Sequence, residues 1–224
     1  MSYNIVSMIP ARGGSKGIPK KNLYHINGKP LMEYMIDTSI KSRYIGKDRT
    51  YVSTEDDMIK KFCINCKGIK VIDRPSELAS DQATTESVME HFTDIVDYDI
   101  IVLLQATSPL LKVNDLDSAI EKFIDRKIDG YDSCFSCLFT NDILIWDISK
   151  DKPINYDPLN RGTRQNRVSK LVIETGAFFI TTREQFLKTG CRIGKKPMYH
   201  YIDYWTHFQV DNIEDAEKIG RLME

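Results

Sequence analysis

IVSMIPARGGSKGIPKKN, residues 5–22, decides how this chain is read. The run Ile5 to Ile9 is apolar and is closed by Pro10 and then by glycines. A short apolar run ended by such residues predicts a buried β-strand followed by an irregular loop. The loop concentrates Arg12, Lys16, Lys20 and Lys21 around Gly13, Gly14, Ser15 and Gly17. Glycines let backbone N–H groups approach a ligand closely, and the cations and hydroxyl supply charge and hydrogen bonds. That mixture suits a polyphosphate. It is not a Walker A loop, because the Gly28-Lys29 pair is followed by Pro30. Nor does Gly13-Gly14-Ser15-Lys16-Gly17 fit the dinucleotide pattern G-x-G-x-x-G.

Downstream, apolar strands alternate with amphipathic helices. Expected strands are Arg49 to Ser53, Ile69 to Ile72 and the wholly apolar Ile100 to Leu104; expected helices are Leu31 to Arg43, one opened by Thr54-Glu55-Asp56-Asp57, Thr85 to Val96 and Asn114 to Arg126. This order predicts an α/β fold: a mostly parallel, Rossmann-like sheet flanked by helices. Ligands on such sheets sit beyond the carboxyl ends of the strands. The basic loop, the Arg74–Asp81 loop (RPSELASD) and the loop opened by Gln105 all leave that edge.

The alternation stops near Tyr131. Strands are expected at Tyr131 to Leu138, Leu144 to Ile148, Leu171 to Thr182 and Met198 to Ile202, with Phe208 to Asp211 ending a last strand and Asn212 to Met223 a closing helix. The polar stretch at about 140–170 reads as an arm inserted in a single domain, residues 1–224, and reaching a partner subunit.

Composition sets outer bounds. Apolar residues are 42%, charged residues 28% and the formal net charge is −1, which is a globular composition with no bias toward nucleic acid or membrane surfaces. No apolar run approaches the roughly 20 residues of a membrane span, and the first residues lack a signal-peptide pattern, so a cytoplasmic location is expected. The five cysteines include Cys63/Cys66 and Cys134/Cys137. These pairs lie too far apart for a zinc ribbon. An offset of three in a strand sends Cys134 and Cys137 to opposite faces.

Four segments together carry a family resemblance: IPARGGSKGIPKKN, RPSELASD, LLQATSPL and VDNIEDAE. In this order they resemble the cytidylyltransferases that activate sialic acids, the CMP-N-acetylneuraminate synthetase family. The resemblance implies a reaction of CTP with a nine-carbon acid sugar, a Mg²⁺ cofactor and a homodimer with an exchanged arm. It places nucleotide contacts on Ala11, Arg12, Gly13, Ser15, Lys16, Asn22, Arg74, Ala79, Ser80 and Asp81. Catalytic roles fall on Arg12, Lys21 and Asp211, and sugar contacts on Gln105, Ser108, Arg164, Thr175 and Phe179. The metal ligands fall on Asp211 and Gln209, the latter standing where the family has a second aspartate; its amide oxygen can bind Mg²⁺ but brings no charge. Thr175 and Phe179 likewise replace an Asn and a Tyr of the family pattern, which implies a relative of N-acetylneuraminate as the sugar. Alternative readings are a nucleotidyltransferase for another acid sugar, such as 3-deoxy-manno-octulosonate, or a catalytically silent nucleotide-binding regulator. Asp211 has a second reading as the first residue of an acidic capping box with Glu214.

Overall fold

The computed structural model describes residues 3–139, 144–163 and 171–224. Seven strands form its main sheet: β1 (Ile5–Pro10), β2 (Thr50–Thr54), β3 (Lys70–Asp73), β4 (Ile100–Leu104), β5 (Ser133–Phe139), β6 (Val172–Thr182) and β7 (Pro197–Tyr201). Their spatial order is β7-β5-β6-β4-β1-β2-β3. The pairs β1/β2, β1/β4, β2/β3 and β5/β7 are parallel, whereas β6 runs antiparallel to both β4 and β5. The expected Rossmann-like, mostly parallel α/β architecture is therefore present. Every residue of β4 is buried, as a central strand covered on both faces requires.

Helices α1 (Leu31–Lys41), α2 (Asp57–Lys61), α3 (Thr85–Ile95), α4 (Val113–Arg126), α5 (Arg183–Thr189) and α6 (Ile213–Leu222) complete the layers. Met32, Met35 and Ile36 of α1 and Leu116, Ile120 and Phe123 of α4 share one core cluster with alternate sheet residues Ile5, Ile9, Val52, Ile100, Val102 and Leu104. Val88, Met89 and Phe92 of α3 and Phe186 of α5 pack with the other set, Val6, Met8, Ile101 and Leu103. The period of two along each strand thus feeds two separate cores. Cys134 lies in the first and Cys137 in the second, as their offset requires.

A third cluster joins distant parts of the chain. Ile18 of the basic loop is buried with Ile26, Leu31, Val210, Ala216 and Ile219. Full burial of one such side chain contributes about 2 kcal/mol, so Ile18 helps to pin the glycine-rich loop. The same cluster seats Val210 between Gln209 and Asp211.

Several local expectations shift. Among the described residues, 208–211 join no ladder; Val210 N–H donates to the Thr107 carbonyl at 2.9 Å. Asp56, not Thr54, caps α2, accepting from the N–H groups of Met58 and Ile59. The cap of α6 is Asn212, in a capping box with Asp215. That box leaves the Asp211 carboxylate out of the cap expected for it with Glu214. Within the inserted stretch, Trp146–Asp147 pairs antiparallel with Lys152–Pro153. Residues 140–143 and 164–170, including the expected arm residue Arg164, lie outside the described residues.

On β7, His200 points inward, 6% exposed, near the ring of Phe178. Burial, with a smaller push from the Lys122 charge, lowers its imidazole from the ordinary 6.5 to about 4. Between those values the unfolded chain holds a proton that the folded chain does not. Stability therefore falls as pH drops from 6.5 toward 4, by at most about 3 kcal/mol from this group. Urea denaturation followed from pH 7 to pH 4 should show a shallower loss of stability for His200→Phe than for the wild type.

Candidate active site

The carboxyl ends of β1, β3 and β4 open onto a cleft of about 250 Å³. Its walls come from the three loops singled out in the sequence. The β1 loop gives Arg12, Gly14, Ser15, Lys21 and Asn22; the β3 loop gives Arg74, Ser80 and Asp81; the β4 loop gives Gln105 and Thr107. The parallel sheet accounts for this convergence, because each of these strands delivers its following loop to the same edge.

The β1 loop is held from three sides. Gly13 N–H donates to Glu55 Oε1 at 2.7 Å, and a Cβ added at Gly13 would lie 2.4 Å from Asp56 Oδ2. Asn22 is nearly buried and its Nδ2 donates to the Arg12 carbonyl at 2.8 Å. Gly17 passes against the far segment: a Cβ there would sit 2.1 Å from the Asp211 carbonyl oxygen. Only a residue without a side chain allows that approach. Lys20 adopts the left-handed conformation, φ 51°. It precedes the 3₁₀ turn that carries Lys21. The Lys21 ammonium donates to the Val210 carbonyl at 3.0 Å and to Asp211 Oδ1 at 3.1 Å.

Across the cleft, Asp81 bridges the basic side chains. It pairs with Arg12 at 2.9 Å and Lys16 at 2.7 Å, and Arg12 also donates to the Ala79 carbonyl at 3.2 Å. The Lys16 ammonium first, and Arg12 second, hold the Asp81 carboxyl below the usual carboxylate range. Arg74 is only 6% exposed. Its guanidinium donates to Ser53 Oγ and the Ser53 carbonyl. Burial pushes it down to about 10, opposed by Glu55 and reinforced by Arg12. It stays cationic at neutral pH and forms the floor of the cleft.

Other expected contacts are placed differently. Ala11 is fully buried and its N–H donates to Ser53 O at 3.0 Å, so it belongs to the core and not to the cleft wall. Ser108 is also fully buried, with its hydroxyl unpartnered, and the neighbour that lines the cleft is the half-buried Thr107. Thr175 turns inward and donates to Ser136 Oγ at 2.7 Å. Phe179 pairs with Leu103 inside the sheet, is 3% exposed and lies under the Arg192 guanidinium. Both residues are spent on the sheet, so neither explains sugar choice by touching a sugar here. Glu55 and Thr107 were not singled out. Glu55 reads locally as a helix-opening acid, and Thr107 lies between two residues that were chosen.

A hard cation is compatible with one position. Asp211 is 74% exposed beside the ammonium of Lys21, and Mg²⁺ is commonly held by one or two carboxylates together with substrate phosphates. Among the described residues, no group of three His, Cys, Asp or Glu could hold a metal by itself.

Residues 6–219 match the model of the cytidylyltransferase family. The chain is 34% identical over 185 residues to an N-acylneuraminate cytidylyltransferase of Streptococcus agalactiae serotype V, covering 82% of this chain and 44% of that protein. It is 27% identical over 186 residues to a pseudaminic acid cytidylyltransferase of Campylobacter jejuni serotype O:2, covering 81% and 79%. A solved CMP:2-keto-3-deoxy-manno-octonic acid synthetase complexed with CTP shares the fold, with a TM-score of 0.70 at 17% identity over 98% of each chain. The chain spans less than half the length of the first curated relatives it matches.

Asp81 occupies the cations that a polyphosphate needs. Asp81→Asn should tighten binding of inorganic pyrophosphate severalfold in calorimetry at low salt, and the gain should fade as salt rises. Equal affinities for variant and wild type would show that the bridge does not compete with phosphate.

Proposed function

The chain belongs to the cytidylyltransferase family, and from that premise we propose that it activates a nonulosonic, sialic-type acid with CTP, giving the CMP-sugar and pyrophosphate. The observation that carries this reading is the convergence of Arg12, Lys16 and Lys21 with Asp211 at the sheet edge that also presents Gln105 and Thr107. The names of the relatives support the acid-sugar class.

In this reaction the anomeric hydroxyl of the sugar gives up its proton to solvent as its oxygen bonds to the α-phosphorus of CTP. The bond from that phosphorus to the bridging oxygen of the β-phosphate breaks, and pyrophosphate leaves with the electron pair. Such transfers depend on positioning and on neutralising charge that builds on the leaving group. Arg12 and Lys16 meet the β- and γ-phosphates once Asp81 gives them up. Lys21, 17% exposed and fixed on the Val210 carbonyl, meets the phosphate nearest the reacting centre. Asp211 would hold the magnesium ion, which supplies further charge neutralisation when bound. Arg74 and the 79–81 loop form the cytidine side.

We place the homodimer contact on the open side of β7 and the inserted arm. Phe139 and Tyr201 stack there at 3.8 Å while both stay substantially exposed, and Tyr199 and Trp146 are exposed as well. Such a band of aromatic side chains fits a protein interface. Among the described residues no helix is long and apolar enough to cross a membrane. CTP as substrate supports a cytoplasmic site of action.

Incubation with CTP, Mg²⁺ and a panel of acid sugars should release pyrophosphate with N-acetylneuraminate or a close relative, and not with 3-deoxy-manno-octulosonate. Release with none of the acids, despite CTP binding, would leave the silent-regulator reading standing. Lys21→Ala should lower kcat/KM by about 100-fold or more with the circular dichroism spectrum unchanged. Turnover near wild type would exclude Lys21 from the phosphate clamp. Light scattering should give twice the chain mass; a clean monomer rejects the dimer.

A further inference from the structure

The side chain of Gln209 is held at both ends. Its Nε2 donates to the Thr175 carbonyl, and its Oε1 accepts from the Thr107 hydroxyl at 3.2 Å. Gly176, at φ +73°, runs so close that a Cβ built on it would lie 2.7 Å from Gln209 Nε2. The Thr175–Gly176 stretch belongs to a bulge in β6, where the register against β5 shifts between Glu174 and Phe179. Two further bonds fasten the same region: Gln105 N–H donates to the Ala177 carbonyl at 3.1 Å and Val210 N–H to the Thr107 carbonyl at 2.9 Å. Gln209 therefore joins the β4 loop to the β6 bulge, one residue from the carbonyl that Lys21 holds.

This arrangement requires an amide. A carboxylate in the same place would set an acceptor against the Thr175 carbonyl and leave one bond unmade. A metal on Oε1 would have to share an oxygen that already accepts from the Thr107 hydroxyl. We propose that Gln209 is a positioning residue, which locks the loop of Thr107 and the bulge of Thr175–Gly176 against the phosphate-holding segment and stays out of the metal's coordination shell. The assignment of the Thr107 side to the sugar rests on the cytidylyltransferase reading; the tie itself does not.

The test uses Gln209→Met, which keeps length and removes both hydrogen bonds without adding charge, and Thr107→Val, which removes one. Hydrogen–deuterium exchange of the full chain should quicken in residues 105–108 and 174–178 for Gln209→Met, and less for Thr107→Val. The Mg²⁺ midpoint for CTP binding, followed by calorimetry, should stay within about twofold of wild type, while KM for the acid sugar rises about tenfold, as the loss of two neutral hydrogen bonds predicts. A weakening of the Mg²⁺ midpoint by tenfold would put Gln209 in the coordination shell and overturn the proposal. Unchanged exchange in both segments would overturn it equally. A wild-type chain that turns over no acid sugar would defeat the functional reading alone, and the exchange data would still judge the tie.

Discussion

The contact between Gly17 and the Asp211 carbonyl oxygen sets the geometry of the whole site. An added methyl group would lie 2.1 Å from that oxygen, so the two backbones touch with nothing between them. The apolar cluster below, with Ile18 from one segment and Val210 from the other, supplies the force that keeps them together. Lys21 then bonds to Val210 and Asp211 at short range. Residues from opposite ends of the chain thereby become one wall. Lys21 and Asp211 are positioned by packing beneath them, and not by their attraction for each other alone.

The sheet contributes by a different device. Parallel strands bring three loops to one edge, and β6, which runs the other way, brings its starting end and a bulge to that edge. Ser136 fills the gap that the bulge leaves, bonding to the Phe178 N–H and receiving the Thr175 hydroxyl. The carbonyls of Thr175 and Ala177 are then available to Gln209 and Gln105. A disruption in the ladder is thus converted into fixed acceptors beside the cleft.

Features with a local cause were legible in the sequence. The strand before the basic loop, the fully apolar β4 and the split of Cys134 from Cys137 follow from period and polarity over a few residues. The loops of Arg12, Arg74 and Gln105 converge because alternating strands and helices imply a parallel sheet. What failed depends on single-residue parity or on distant partners. Asp211 and Asn212 both stand three residues ahead of an acid, so the pattern alone does not choose between them; the burial of Val210 does. Ser108 and Thr107 differ by one position in a turn. Residues 208–211 alternate like a strand, yet no neighbouring strand lies beside them. Ala11, Thr175 and Phe179 look available in a linear motif, but the sheet has already used them. The ties through Glu55 and Gln209 join residues far apart in sequence and leave no local trace.

The Asp81 bridge gives the resting protein a built-in counterion. Arg12 and Lys16 do not stand as a bare positive patch; a carboxylate of the chain itself already screens them. An isolated phosphate group offers these cations little more than Asp81 does. On the proposed reading a linear polyphosphate differs, because it displaces the carboxylate and also reaches Lys21 in the same molecule. Selection among cellular anions would then rest on reach along a chain of phosphates, with charge density counting for less.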